Sequence, residues 1–184
     1  MAAPRPRSLK ARALQWLAQR EHSRLELERK LLRAARAAHQ TRTRAATASA
    51  SAAGAACADN DPFDGEAARA EIAVLLDGLE RDGYLATARF VESRVHARSA
   101  RYGNRRIEQE LAQHAVALPE DAARSLAASE PERARAVRAR RFAAAPDTPR
   151  ERARQARFLA ARGFSAGVIR RVLREVAGGD PADG

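Results

Sequence analysis

The sequence predicts an all-α protein of three tandem three-helix repeats, stacked into an elongated, curved array of either hand. Three observations predict it. Helix start and stop signals recur along the whole chain, whereas no stretch alternates β-branched and polar residues in the way a strand requires. Bulky apolar residues are thinly spread: Leu, Ile, Val and Phe make up 32 of 184 residues. So small a stock supplies several short helices with a few anchors each, but no thick central core. Finally, one pattern of anchors returns at fixed offsets, which is the mark of a repeat.

The elements follow in order. A first helix begins after Ser8 and carries Leu9, Ala13, Trp16 and Leu17 on one face. Ser23 and Glu26 have capping-box spacing, with serine accepting from the N3 amide, and open a second helix with Leu27 and Leu31 inward. From 37 to about 62 the chain becomes Ala, Thr, Ser, Arg and Gly, and is expected to form a flexible insertion whose upstream end extends the second helix. Asp64 caps a third helix carrying Ile72, Leu75, Leu76 and Leu79, which Gly83 ends. Thr87 opens a helix with Phe90, Val91 and Val95 inward, and the chain breaks at Tyr102–Gly103 before Ile107 and Leu111. Pro119 reads as the first residue of a short helix ending near Leu126. Capping boxes at Ser129–Glu132 and Thr148–Glu151 open the next two helices, and Ser165 caps the last, with Val168, Ile169, Val172 and Leu173.

The repeat is carried by Leu17, Arg20, His22, Ser23, Leu27 and Leu31, which match Leu159, Arg162, Phe164, Ser165, Ile169 and Leu173 at an offset of 142. Shifted by 80, the register sets Tyr102, Gly103, Ile107 and Leu111 on His22, Ser23, Leu27 and Leu31. The expected organisation is therefore a disordered start (1–8), repeat one at 9–82 including the insertion, repeat two at 83–129, repeat three at 130–177, and a disordered tail (178–184).

Charge narrows the function. The chain carries a formal +11, and all basic residues except Lys10 and Lys30 are arginine, whose planar fork grips phosphate or carboxylate bidentately. Residues 5–44 hold 12 basic and 3 acidic groups, 45–130 hold 9 and 14, and 131–176 hold 13 and 4. Two basic regions thus flank an acidic middle, which suits a nucleoprotein partner. A single cysteine, Cys57, excludes a disulfide framework, and no run of about 18 apolar residues is present to span a membrane. A cytoplasmic protein is expected.

Three phrases then resemble one family. Leu17–Leu31 (LAQREHSRLELERKL), Leu79–Phe90 (LERDGYLATARF) and Ala156–Leu173 (ARFLAARGFSAGVIRRVL) are similar, in this order, to the RecX family of recombination regulators. The resemblance implies a three-repeat helical protein that binds RecA filaments, lodges in their groove and restrains their growth, strand exchange and ATP hydrolysis. The Ala-rich insertion departs from the family pattern, in which a short loop separates helices two and three.

The chemistry of an enzyme is missing. There is no Walker loop, no G-x-G-x-x-G after a strand, and His22, His39, His96 and His114 are scattered without a metal-binding spacing. No catalytic residue, metal or cofactor is expected. Binding surfaces are the better candidates. Arg98, Arg101, Arg105 and Arg106 bracket Tyr102, combining phosphate donors with a ring. A second strip comprises Arg154, Arg157, Arg162, Arg170, Arg171 and Arg174. The expected partners are RecA, the RecA–DNA filament, and single- and double-stranded DNA bound weakly and salt-sensitively by a monomer. The alternative is a helix-turn-helix transcription regulator, which would dimerise on symmetric half-sites.

Overall fold

The computed structural model describes residues 8–52 and 62–178, and among these eight α-helices and no strand occur. The expectations for the first seven residues, for 53–61 including Cys57, and for the tail from 179 lie outside the described residues. By internal packing the chain divides into two units, 1–90 and 91–184, with the division inside the fourth helix.

The first unit is built from α1 (Leu9–Leu17), α2 (Arg24–Ala52), α3 (Gly65–Arg81) and the start of α4 (Thr87–Ser99). The Ser8 hydroxyl caps α1 by accepting from the Ala11 amide, and Asp64 caps α3 by accepting from Glu66 and Ala67, each at 2.9 Å. The expected anchors Leu27, Leu31, Ile72, Leu76 and Leu79 close on Ala13 and Leu85 as one buried cluster, with Trp16 and Leu17 packed at its edge. Each fully buried leucine or isoleucine contributes about 2 kcal/mol, so five of them outweigh any single polar contact nearby.

The insertion is shorter than expected, because α2 continues as helix to Ala52. Two causes are visible. Alanine is the strongest helix former, and the Thr41, Thr43 and Thr47 hydroxyls donate to the carbonyls four residues earlier, satisfying themselves within the helix. The bulky residue that pins the extension comes from beyond it. Phe63 meets His39 edge-on at 5.6 Å between ring centroids, and the Arg36 guanidinium lies 5.4 Å from the same ring.

The second unit continues with α5 (Asn104–Gln113), α6 (Glu120–Ala139), α7 (Pro149–Ala161) and α8 (Ala166–Val176). Its core joins Ala134 and Val137 of α6 to Leu159, Phe164, Ile169, Val172 and Leu173. The Thr148 box caps α7 as expected, its hydroxyl accepting from the Glu151 amide at 3.2 Å, and Ser165 caps α8. The Ser129 box is overturned: α6 runs unbroken from Glu120 through Pro131, so one helix takes the place of the two expected there, and the boundary at 129/130 falls inside it. The reason is local. Proline removes one helix donor, and Ser129, instead of capping, donates to the Leu126 carbonyl, which also accepts from Arg133. Leu126, Glu130 and Ala134 are buried one turn apart on one face of α6, so packing holds the helix together where the sequence alone suggests a stop.

Candidate nucleic-acid interface

The repeat register places two tight turns in the second unit, 100–103 between α4 and α5 and 162–165 between α7 and α8, and these turns dock on each other. The Gly103 amide donates to the Arg162 carbonyl at 2.9 Å and the Arg105 amide to the Gly163 carbonyl at 3.1 Å. Glycine is required on both sides. A Cβ on Gly103 would fall onto the backbone of Gly163 and Phe164, and one on Gly163, whose φ is +82°, would lie 2.6 Å from the Arg106 amide nitrogen. At the end of α7 the Phe164 amide returns to the Leu159 carbonyl and that of Gly163 to Ala160, the Schellman closure that a left-handed glycine permits.

Two residues of α6 that sequence reasoning did not single out hold this pair of turns. Glu130 is 4% exposed, and its carboxylate accepts from the Asn104 amide, the Ser165 amide and the Ser165 hydroxyl at 2.9–3.2 Å. Asn104 and Ser165 open α5 and α8, so one buried anion faces two helix N-termini, where the macrodipole favours it. Arg133 reaches the other way, donating to the carbonyls of Ser99, Tyr102 and Leu126 and to the Asn104 side chain. The signal available for both was the spacing of three residues that sets Glu130 and Arg133 on one helix face.

The predicted arginines do not stay together. Arg98 is tied to Glu110 at 2.9 Å, beside Arg94, and its guanidinium is held in the charged form by that carboxylate. Arg171 shares Glu175 with Arg135, and the hydrogen bonds from Arg135 and Arg171 hold that carboxyl down at about 2. Arg157, Arg170 and Arg174 lie on α7 and α8 with at least part of each side chain reaching solvent. Arg154 and Arg162 leave the expected strip for an aromatic pair: Phe142 and Phe158 pack edge to face at 5.1 Å, Arg154 lies 5.3 Å from the Phe142 ring and Arg162 3.8 Å from the Phe158 ring. Tyr102 is half-buried in its turn, with Arg98 at 6.0 Å and Arg106 at 5.7 Å from its ring. Arg101, Arg105 and Arg106 are exposed, and none has a carboxylate within ion-pair distance among the described residues.

Two open hollows result. One of about 550 Å³ lies between α5 and α7 and is lined by Arg105, Arg106, Glu108 and Gln109 opposite Ala160 and Gly163. The other, about 440 Å³, is lined by Arg101, Tyr102, Arg140, Arg141, Phe158 and Arg162. Arg140 and Arg141 were missed. Their signal was the run Arg140-Arg141-Phe142, which repeats the pairing of arginine and ring seen at Arg101-Tyr102. Among the described residues no group of three His, Cys, Asp or Glu could hold a metal ion, and no helix is long and apolar enough to cross a membrane.

Comparison with known proteins identifies the family. The profile for "RecX, third three-helix domain" matches residues 128–173, which span the second half of α6, α7 and α8. The "Regulatory protein RecX" of Ralstonia nicotianae is 42% identical over 95% of this chain and 92% of its own length. The chain belongs to the RecX family. The RecX protein of Leptothrix cholodnii is 44% identical over 95% of this chain and 93% of its own length, and that of Pseudomonas putida KT2440 is 36% identical over 91% and 90%. The RecX-family match to 128–173 begins next to Glu130, so the helix that anchors both turns is also where the third domain starts.

Proposed function

We propose that this chain regulates RecA: as a cytoplasmic monomer it binds the RecA–DNA filament and restrains filament growth, ATP hydrolysis and strand exchange, without catalytic chemistry of its own. RecX-family membership supports the choice of RecA, and the relatives' name supports regulation over catalysis. One observation carries the contact surface. The arginines beside the docked turns, Arg101, Arg105 and Arg106, are exposed without carboxylate partners among the described residues, whereas Arg94, Arg98, Arg135 and Arg171 of the same unit are engaged by Glu110 and Glu175. Guanidinium groups left in this state contact phosphate or acidic side chains without first breaking an internal pair.

The test is DNA-dependent ATP hydrolysis by RecA. Substoichiometric wild-type chain should slow it severalfold, and the triple variant R101E/R105E/R106E should lose most of the effect with little change in melting temperature. Undiminished hydrolysis at every ratio of wild-type chain to RecA would end the proposal.

A further inference from the structure

Resting on the reading of the chain as a DNA-contacting regulator, we infer that the hollow lined by Arg101, Arg140, Arg141 and Arg162 binds the phosphodiester backbone of a nucleic-acid strand, reading charge and not base sequence. Four guanidinium groups and no carboxylate line it. None of the four is in an ion pair among the described residues.

A competing account of these arginines is that they neutralise helix ends. Arg140 and Arg162 stand at the C-caps of α6 and α7, and Arg101 follows the end of α4. Arg140 indeed donates to the Ala100 carbonyl at 3.2 Å. Magnitudes decide between the two. Three helix C-termini supply about −0.5 charge each, so four guanidinium groups leave an excess of about +2.5 that nothing in the lining balances. An excess of that size in an open hollow attracts a polyanion.

The rings explain why the ligand is backbone and not base. Arg162 lies 3.8 Å from the Phe158 ring centroid, and Arg98 and Arg106 both approach the Tyr102 ring. The aromatic surfaces are therefore occupied by guanidinium groups, which they support, and are not stacking platforms for bases. A guanidinium resting on a ring, as Arg162 does on Phe158 and Arg141 near Phe142, keeps its planar fork preorganised, so less freedom is lost when it contacts phosphate bidentately. A carboxylate surface on a protein would need its own fixed complement to these forks, whereas a flexible strand adapts its phosphates to them.

The experiment uses the full chain with fluorescent 30-mers of oligothymidine and oligodeoxyadenosine, titrated at several salt concentrations. R140E/R141E should weaken both to the same extent, on the order of tenfold at low salt, and should shallow the slope of log K against log salt by about 0.7 for each phosphate that the variant no longer neutralises. R150E/R152E, the same charge change on exposed α7 positions outside the hollow, should leave that slope close to the wild-type one. Melting temperature monitors folding. Should the double variant unfold, R141E is read in the same way, because the Arg141 guanidinium makes only a ring contact, 5.8 Å from the Phe142 centroid, among the described residues. The inference is overturned by unchanged binding in the hollow variant, by an equal weakening in the control, or by weakening confined to one base. It is also overturned if polyglutamate of equal charge competes as well as the oligonucleotide, which would assign the hollow to an acidic protein, or if inorganic pyrophosphate does so per phosphate, which would assign it to small anions. Slowing of RecA by the wild-type chain is scored separately: it stands if only the hollow fails, and its failure leaves the DNA result intact.

Discussion

Two turns of this molecule share a register and differ in how their arginine is used. In the first repeat Arg20 grips Glu26 with both terminal guanidinium nitrogens, Nη1 and Nη2, and His22 is buried beside them with Nδ1 3.1 Å from the same carboxylate. At offset 142 the arginine is retained as Arg162, the ring becomes Phe164, and Glu26 becomes Val168. With no carboxylate at ion-pair distance among the described residues, Arg162 lies on Phe158, which stands in the register at Trp16. The first turn is thus closed from within by an ion pair, and the last from outside by Glu130 of α6. The difference teaches that one repeated frame can tie the same cation into an ion pair or set it on a ring, depending on a single residue one turn into the following helix.

The largest effect should come from breaking the outside closure. Glu130→Ala leaves the Ser165 amide and hydroxyl and the Asn104 amide without their acceptor, and Gly163→Ala forces a Cβ against the Arg106 backbone at positive φ. Each should cost about 3 kcal/mol, read from urea unfolding of the whole chain. Because these contacts lie in the second unit, the destabilisation should appear in 128–173, with amides of α7 and α8 exchanging fastest. Wild-type stability of Glu130→Ala would mean that Glu130 is a bystander, and that of Gly163→Ala would mean that the docked turns yield without cost.

The closure from within should instead be sensitive to acid. Burial works against the Glu26 carboxylate, yet the hydrogen bonds from Arg20 and the nearby His22 override it and hold its pKa at about 2, from an ordinary 4.5. Burial also lowers the His22 pKa below its ordinary 6.5, against the pull of Glu26. Both shifts favour the less protonated form in the fold, so their stabilisation is complete above the ordinary values and is lost as pH falls. His22 begins to cost stability below about 6.5, and Glu26 withdraws its share between about 4.5 and about 2, on the order of 2 kcal/mol once screening at the exposed Arg20 is allowed for. Glu26→Gln should flatten the lower part of that profile, measured as melting temperature from pH 7 to 3. An unaltered slope would show that the Arg20 pair adds nothing.

Local signals made the anchors and most caps legible. Asp64, Thr148 and Ser165 cap the helices they were expected to cap, α1 begins after Ser8 as expected, and Leu27, Leu31, Ile107, Leu111, Ile169 and Leu173 are all buried in the repeat register. What was not legible depended on tertiary contacts. The extension of α2 is supported by Phe63, 24 residues beyond His39, and the passage of α6 through Pro131 by burial of Leu126, Glu130 and Ala134. The candidate arginines show the same limit. Sequence gives their number and their nearness to rings, but whether a guanidinium meets a carboxylate is decided across helices, as for Arg98 with Glu110 and Arg135 with Glu175. Arg140 and Arg141 were missed because their relation to Arg101 exists only after α4, α6 and α7 have packed.

The smallest and most discriminating effect comes from exchanging the residue that separates the two turns. Val168 occupies the register position of Glu26, so Val168→Glu should offer Arg162 the carboxylate that Arg20 already has. Val168 is half-buried at the edge of the second core, and its replacement removes some apolar packing, about 1 kcal/mol. Binding should respond separately. With one of the four lining cations neutralised and no arginine removed, affinity for single-stranded DNA should fall by about threefold, with the salt slope shallower by about 0.7. Val168→Gln has the same shape and the same packing defect without the charge, and should bind close to wild type. If the Glu and Gln variants bind alike, Arg162 was never available to a ligand, and the contrast between the two turns concerns folding alone.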